Sequence, residues 1–310
     1  MNVWRLNIKP AAKAGVNPQE FCFDRGLLGM GWPIDLSKAS WEEYEKTARK
    51  KYEKKRRGWS TALNGLRNRM QQGDLCWTRD RAGLYYLGRV SGPWVYCAEP
   101  PFRDADIVNF RRCTWHRVGN EAEVPGNVAV SFARGGTLRR VKQKGACLYT
   151  ACLYAELAGE PLDKEIAKQT CGLLDLLSHQ DWEDLVGLYL QQNRGYLLVP
   201  STCRPSTPMY EFVLVDPKTG EDAVVQVKSG KAALKPDEYS SIGQQVYLFA
   251  KSGKYPGSLP SNVECIELKT LEEWADKHTS ALPSRMKRLQ RFASDGIIEK
   301  GGHAGTQRNR

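Results

Sequence analysis

Two glutamates, a glutamine and a lysine carry the most legible chemistry in this chain of 310 residues. Gln226 and Lys228 flank one valine in Ala223-Val224-Val225-Gln226-Val227-Lys228, and Glu211 lies fifteen positions earlier, in Tyr210-Glu211-Phe212-Val213-Leu214-Val215. Side chains alternate along a strand, so Gln226 and Lys228 share one face while Val225 and Val227 point to the other. Asp216-Pro217-Lys218-Thr219-Gly220 between the runs reads as a turn with Asp216 as its former, which makes the pair a hairpin. Upstream, Trp182, Val186 and Tyr189 form the apolar stripe of a helix, with Glu183 at its border and Asp181 and Asp184 on a more polar face. A helix carboxylate, a strand carboxylate and an adjoining ammonium suit phosphodiester hydrolysis. A hard cation such as Mg2+ takes oxygen ligands and stabilises charge developing at phosphorus, and a lysine orients or activates the attacking water.

Glu183, Glu211 and Gln226-Val227-Lys228 together resemble the PD-(D/E)XK nuclease superfamily, in its Mrr-like restriction endonuclease branch, where Gln can replace the usual acid before x-Lys. The resemblance spans residues 171–280. It implies a restriction-endonuclease-like α/β domain with a central mixed sheet and a cofactor of Mg2+ or Mn2+. Glu211 and Glu183 would be the metal ligands, and Glu211, Gln226, Lys228 and Glu183 the catalytic set. The sequence departs from the usual pattern in having Glu rather than Asp at 211 and a neutral amide at 226. A Q-V-K triplet on the polar face of an ordinary hairpin is the competing reading, and the upstream glutamates and the following Val-Tyr-Leu-Phe strand weigh against it.

The elements that must position these residues follow from periodicity. Strands are expected over 196–199, 210–215, 223–228, 246–249 and 263–268, with helices over 162–193, interrupted near Gly172, and 271–278. Toward the amino terminus, residues 4–8 alternate as a strand. A helix over 40–70 opens with Ser40 and Glu43 in capping-box spacing and breaks near Gly58. Short strands then recur over 74–78, 84–90, 94–97 and 114–118. The division expected is 1–141, an α+β module; 142–170, a helical linker; 171–280, the nuclease domain; and 281–310, a basic flexible tail.

The first module, through Gly73-Asp74-Leu75-Cys76-Trp77-Thr78-Arg79, Tyr85-Tyr86-Leu87-Gly88-Arg89-Val90 and Trp115-His116-Arg117-Val118, is similar to PUA-like barrels of the EVE type. That similarity implies nucleic-acid sensing, including a modified base held between aromatic faces, with Trp32, Trp77 and Trp94 as candidate walls. The alternative is that these rings fill a small barrel core. The stretch 46–57 holds eight Lys/Arg against one Glu, so Lys50, Lys51, Lys54, Lys55, Arg56 and Arg57 could follow a phosphate backbone or simply face solvent.

With 46 Lys/Arg against 35 Asp/Glu the net charge is +11, which favours DNA or another polyanion as partner. The nine cysteines form no CxxC pair, and none of the four histidines, His116, His179, His278 and His303, reads as having a partner at ligand spacing. The sequence lacks a signal peptide, an apolar span and a P-loop. The expectations are therefore a cytoplasmic location, no membrane partner, a possible homodimer by resemblance, and any ATPase activity from a partner protein. The function expected is a metal-dependent DNA endonuclease of the restriction or anti-phage defence type, with modification sensing by its first module. The alternatives are a catalytically weak or inactive nucleic-acid reader or assembly subunit of a defence or repair system, and action on structured RNA.

Overall fold

Two sheets form in separate stretches of the chain, each built from short runs of β-branched and aromatic residues. The computed structural model describes residues 1–8, 12–52, 58–133, 135–163, 173–203 and 209–294. These fall into two compact units, divided at Thr170/Cys171.

The first unit runs β1 (Val3–Leu6), α1 (Pro18–Asp24), β2 (Leu27–Met30), α2 (Trp41–Tyr52), α3 (Trp59–Asn64), β3 (Leu75–Arg79), β4 (Tyr85–Val90), β5 (Val95–Tyr96), α4 (Pro100–Asp104), β6 (Asn109–Gly119), α5 (Gly126–Ala133), β7 (Leu138–Val141) and α6 (Lys144–Ala158). Its curled mixed sheet has the order β2-β6-β4-β3-β1-β7, with β5 on β6; β1 pairs parallel with β3, and the other pairings are antiparallel. The capping box read at Ser40 is present. Ser40 N–H donates to Glu43 Oε2 at 2.9 Å and Glu43 N–H to Ser40 Oγ at 3.3 Å, which satisfies two of the otherwise orphaned donors at the start of α2. Gly58 is the N-cap of α3, and its φ of 98° is open to glycine and strained for other residues.

The segment expected as a linker is instead a layer of this unit, as far as it is described. Helix α6 buries a continuous run from Leu148 to Ala155 on all sides, which its Ala, Leu, Tyr and Cys content permits. Thr150 Oγ1 accepts from Trp77 Nε1 at 3.0 Å, and Tyr149 OH donates to Glu123 O at 2.7 Å.

The second unit comprises α7 (Leu173–Leu176), α8 (His179–Arg194), β8 (Leu197–Leu198), β9 (Phe212–Val215), β10 (Asp222–Lys228), β11 (Gln245–Ala250), β12 (Val263–Ile266), α9 (Leu268–Lys277) and α10 (Ser284–Ser294). The sheet order is β12-β11-β10-β9-β8: β10, β11 and β12 are parallel neighbours, and β9 is antiparallel to β10 and β8. The 210–228 hairpin forms in register, Val224 opposite Val213. Asp216 makes its turn, with Oδ1 accepting from Lys218 N–H at 2.8 Å and its carbonyl from Gly220 N–H at 2.8 Å.

Residues from 281 to 294 are not the expected flexible tail. Leu282, Met286, Leu289 and Phe292 recur every three or four positions and are buried, so α10 packs as an amphipathic helix despite its basic composition. Among the described residues no helix is long and apolar enough to cross a membrane.

Candidate metal centre

Helix α8 begins where the site begins. Ser178 is its N-cap: Oγ accepts from Asp181 N–H at 3.2 Å, and Asp181 Oδ2 accepts from Ser178 N–H at 2.8 Å. The buried face of α8 carries Trp182, Leu185, Val186, Tyr189 and Leu190, and the Trp182 ring stacks on Phe249 of β11 at a centroid distance of 5.0 Å. That packing fixes the helix rotation and sets His179 and Glu183, one turn apart, above the end of the hairpin.

Asp181 was expected on the polar face; it is buried. Its carboxylate meets the Arg285 guanidinium of α10, Nε to Oδ1 at 2.5 Å, and the same guanidinium bonds Asp184. Burial alone pulls the Arg285 guanidinium down, but the two carboxylates more than offset it, and the net direction is up. A residue from the expected tail thus anchors the first turn of the helix that carries half of the site.

Glu211 is the hub. Its backbone N–H donates to Val225 O at 2.8 Å, which extends the hairpin ladder by one residue. Its Oε1 accepts from Gln226 Nε2 at 3.0 Å and lies 3.7 Å from Lys228 Nζ and 3.9 Å from His179 Nε2. His179 Nε2 stands 2.8 Å from Glu183 Oε1, while its Nδ1 faces Ser229 Oγ at 3.4 Å. The hydrogen bond to Glu183 raises the His179 pKa above the ordinary histidine value. Burial opposes this, the charges of Glu183 and Glu211 add to it, and Lys228 counters them. The four residues read from the sequence, Glu183, Glu211, Gln226 and Lys228, therefore meet in one place, and His179 joins them. The reading of His179 as unpartnered is corrected: the signal was its spacing to Glu183, i and i+4, which places both on one helix face.

Gln226 is 1% exposed, and its Oε1 has no hydrogen-bond partner among the described residues. A buried amide oxygen left without a donor costs roughly 1–3 kcal/mol. Its sister atom Nε2 donates to Glu211, so the orphaned oxygen belongs to the same amide that holds the hub. One ligand atom each from His179, Glu183 and Glu211 lies within 4.8 Å of the others. Ligands about 2.1 Å from a common ion stand about 3 Å apart when adjacent and about 4.2 Å apart when opposite. The 2.8 and 3.9 Å separations suit those spacings, and the donor set fits a divalent cation.

The rings proposed as base-pocket walls separate into two groups. Trp77 is 0% exposed with its N–H held by Thr150, so it is a core residue of the first unit. Its strand register turns that side chain toward α6, where Thr150 meets it. Trp32 and Trp94 are half-buried against the core. Trp32 has a left-handed φ of 70°, and Trp94 meets Trp41 edge-on at 5.2 Å. Of the basic stretch, Lys50 is exposed and Lys51 is paired with Asp35 at 2.9 Å, while Lys54, Lys55, Arg56 and Arg57 lie outside the described residues.

Comparison with known proteins bears on the first unit. Residues 4–134 match a family described as a domain of unknown function, DUF8426. No curated protein and no solved structure matches the chain. The DUF8426 match takes in Trp32, Trp77, Trp94 and the 46–57 stretch, and stops short of the cluster around Glu211.

Proposed function

We propose that this protein is a metal-dependent DNA endonuclease of the PD-(D/E)XK type, with its cutting site in the second unit and a PUA/EVE-like nucleic-acid sensing module in the first. The observation that carries the reading is the convergence of Glu183, Gln226 and Lys228 on Glu211, residues from a helix and two strands. The restriction-endonuclease-like fold is supported by the order helix, antiparallel hairpin, parallel strand around that cluster.

In this reading Glu211 and Glu183 hold Mg2+ or Mn2+, which supplies charge stabilisation at the scissile phosphate. Gln226 fixes the Glu211 rotamer by donating from Nε2, so the carboxylate presents to the site without a search over rotamers. The Lys228 ammonium, 40% exposed and beside Glu211, is placed to donate to a phosphate oxygen or to orient the attacking water. The net charge of +11 draws the polyanion in, and Lys50 extends the candidate contact surface on the first unit.

A second reading, a catalytically inactive reader or assembly subunit, draws on Gln226. The amide brings no negative charge where an acid is usual, so the site has two carboxylates rather than three. Incubating plasmid DNA with the protein in Mg2+, Mn2+ or EDTA separates the two: the endonuclease nicks or linearises it only with metal, whereas the reader binds without cutting in every condition.

A further inference from the structure

His179 lies outside the glutamate, glutamine and lysine set, and its geometry gives it a task. Its Nδ1 faces Ser229 Oγ at 3.4 Å, and in the tautomer that donates from Nδ1 to that hydroxyl, Nε2 carries a lone pair. Nε2 stands 2.8 Å from Glu183 Oε1 and 3.9 Å from Glu211 Oε1, and a cation bound by its lone pair would take the place of the proton it shares with Glu183. Three acceptor atoms so close repel one another unless a proton or a cation lies among them. The orphaned, buried Oε1 of Gln226 belongs to the amide whose Nε2 holds Glu211, and is an observation independent of the acid pair.

We infer that His179 Nε2 is a third protein ligand of the metal, and that the site selects a divalent transition ion, probed here as Mn2+, over Mg2+. The inference rests on the metal-site reading above and deepens it. Mg2+ is held by carboxylates, water and phosphate and dehydrates reluctantly, so an imidazole gives it little. Imidazole nitrogen favours first-row transition ions, and affinity for a mixed nitrogen and oxygen set rises from Mn2+ along the series, which makes Mn2+ a lower bound on the preference. The i, i+4 spacing of His179 and Glu183 places both ligands on one turn of α8. The capping box at Ser178 and Asp181, together with Arg285, holds that turn in place before any ion arrives.

The test reads binding and spectroscopy on the full-length chain. Mn2+ is titrated into wild type, His179→Ala and Glu211→Gln, Mg2+ is used as competitor, and the Mn2+ complexes are examined by pulsed electron paramagnetic resonance for the nitrogen modulation of a directly bound imidazole. The expected result is Mn2+ bound at least tenfold more tightly than Mg2+, with nitrogen modulation in wild type. His179→Ala should bind Mn2+ more weakly, lose the modulation and lose the preference. Mn2+ binding that Glu211→Gln abolishes but that shows no nitrogen modulation overturns the role of His179 and leaves the metal site standing. Equal affinity for the two ions overturns the selectivity. Failure of any divalent ion to bind overturns both this inference and the hydrolase reading. Far-ultraviolet circular dichroism on both variants shows that the fold is kept, and the wild-type spectrum decides the ligand without any variant.

Discussion

Replacing Arg285 with Met removes the cation that, among the described residues, is paired with Asp181. The thioether chain keeps most of the aliphatic stem, so the loss is of the guanidinium and not of packing volume. Asp181, 3% exposed, is left as a buried carboxylate without its ion-pair partner, and breaking a buried pair from one side costs about 3–5 kcal/mol. The lower end applies, because Asp181 keeps the N–H of Ser178 as a hydrogen-bond donor. Asp184, with half its side chain in solvent, adds less than about 1 kcal/mol. A loss of about 3 kcal/mol lowers the melting temperature of a unit this size by roughly 10–15 °C. Scanning calorimetry of Arg285→Met, Asp181→Asn and the double variant measures it, and the coupling energy between the two sites should be at least about 2 kcal/mol. A single-variant loss below 1 kcal/mol with coupling near zero refutes the claim that α10 anchors α8.

Three further outcomes follow from the same structure. Trp77→Ala should destabilise the first unit by about 3–5 kcal/mol by calorimetry, as a buried aromatic does; a stability change under 1 kcal/mol with a loss of nucleic-acid binding would return Trp77 to a pocket wall. Exposed Cys203 should be alkylated in the native protein well before Cys22, whose thiol burial pushes up to about 12, and before Cys76 and Cys113, pushed up by the same cause. Peptide mass mapping after a timed pulse of iodoacetamide checks the order. Gln226→Leu removes the hydrogen bond to Glu211 and should weaken Mn2+ affinity by roughly 10–100-fold, as losses of groups that orient metal ligands do; isothermal titration that finds unchanged affinity contradicts the role given to the amide.

The hairpin was legible because its information is local. Alternation places Gln226 and Lys228 together, Asp216 and Gly220 make the turn, and the in-register pairing sets Glu211 beside Gln226. The core of α8 was equally readable from Trp182, Val186 and Tyr189. What failed needed a partner distant in sequence. Asp181 reads as polar surface until Arg285, more than a hundred residues later, is brought against it. Trp77 is a wall or a core ring depending on whether a helix covers that side of the sheet, and α6 does. The basic residues of α10 masked a regular apolar spacing that composition does not weigh. His179 has its ligand-spaced neighbour in a carboxylate one turn along, a pairing that a search for His and Cys clusters passes over.

Plasmid cleavage compared with DNA binding, for wild type and Lys228→Ala, is the most direct test of the central claim. Lys228 is a side chain at the strand end, 40% exposed, and its loss leaves Glu183, Glu211 and Gln226 in place. The account predicts that wild type cuts supercoiled plasmid with Mn2+ or Mg2+ and not with EDTA, and that Lys228→Ala binds the same DNA within about threefold while cutting falls by at least 100-fold. Cutting by Lys228→Ala at the wild-type rate, or DNA binding by wild type with no cutting under any metal, contradicts it.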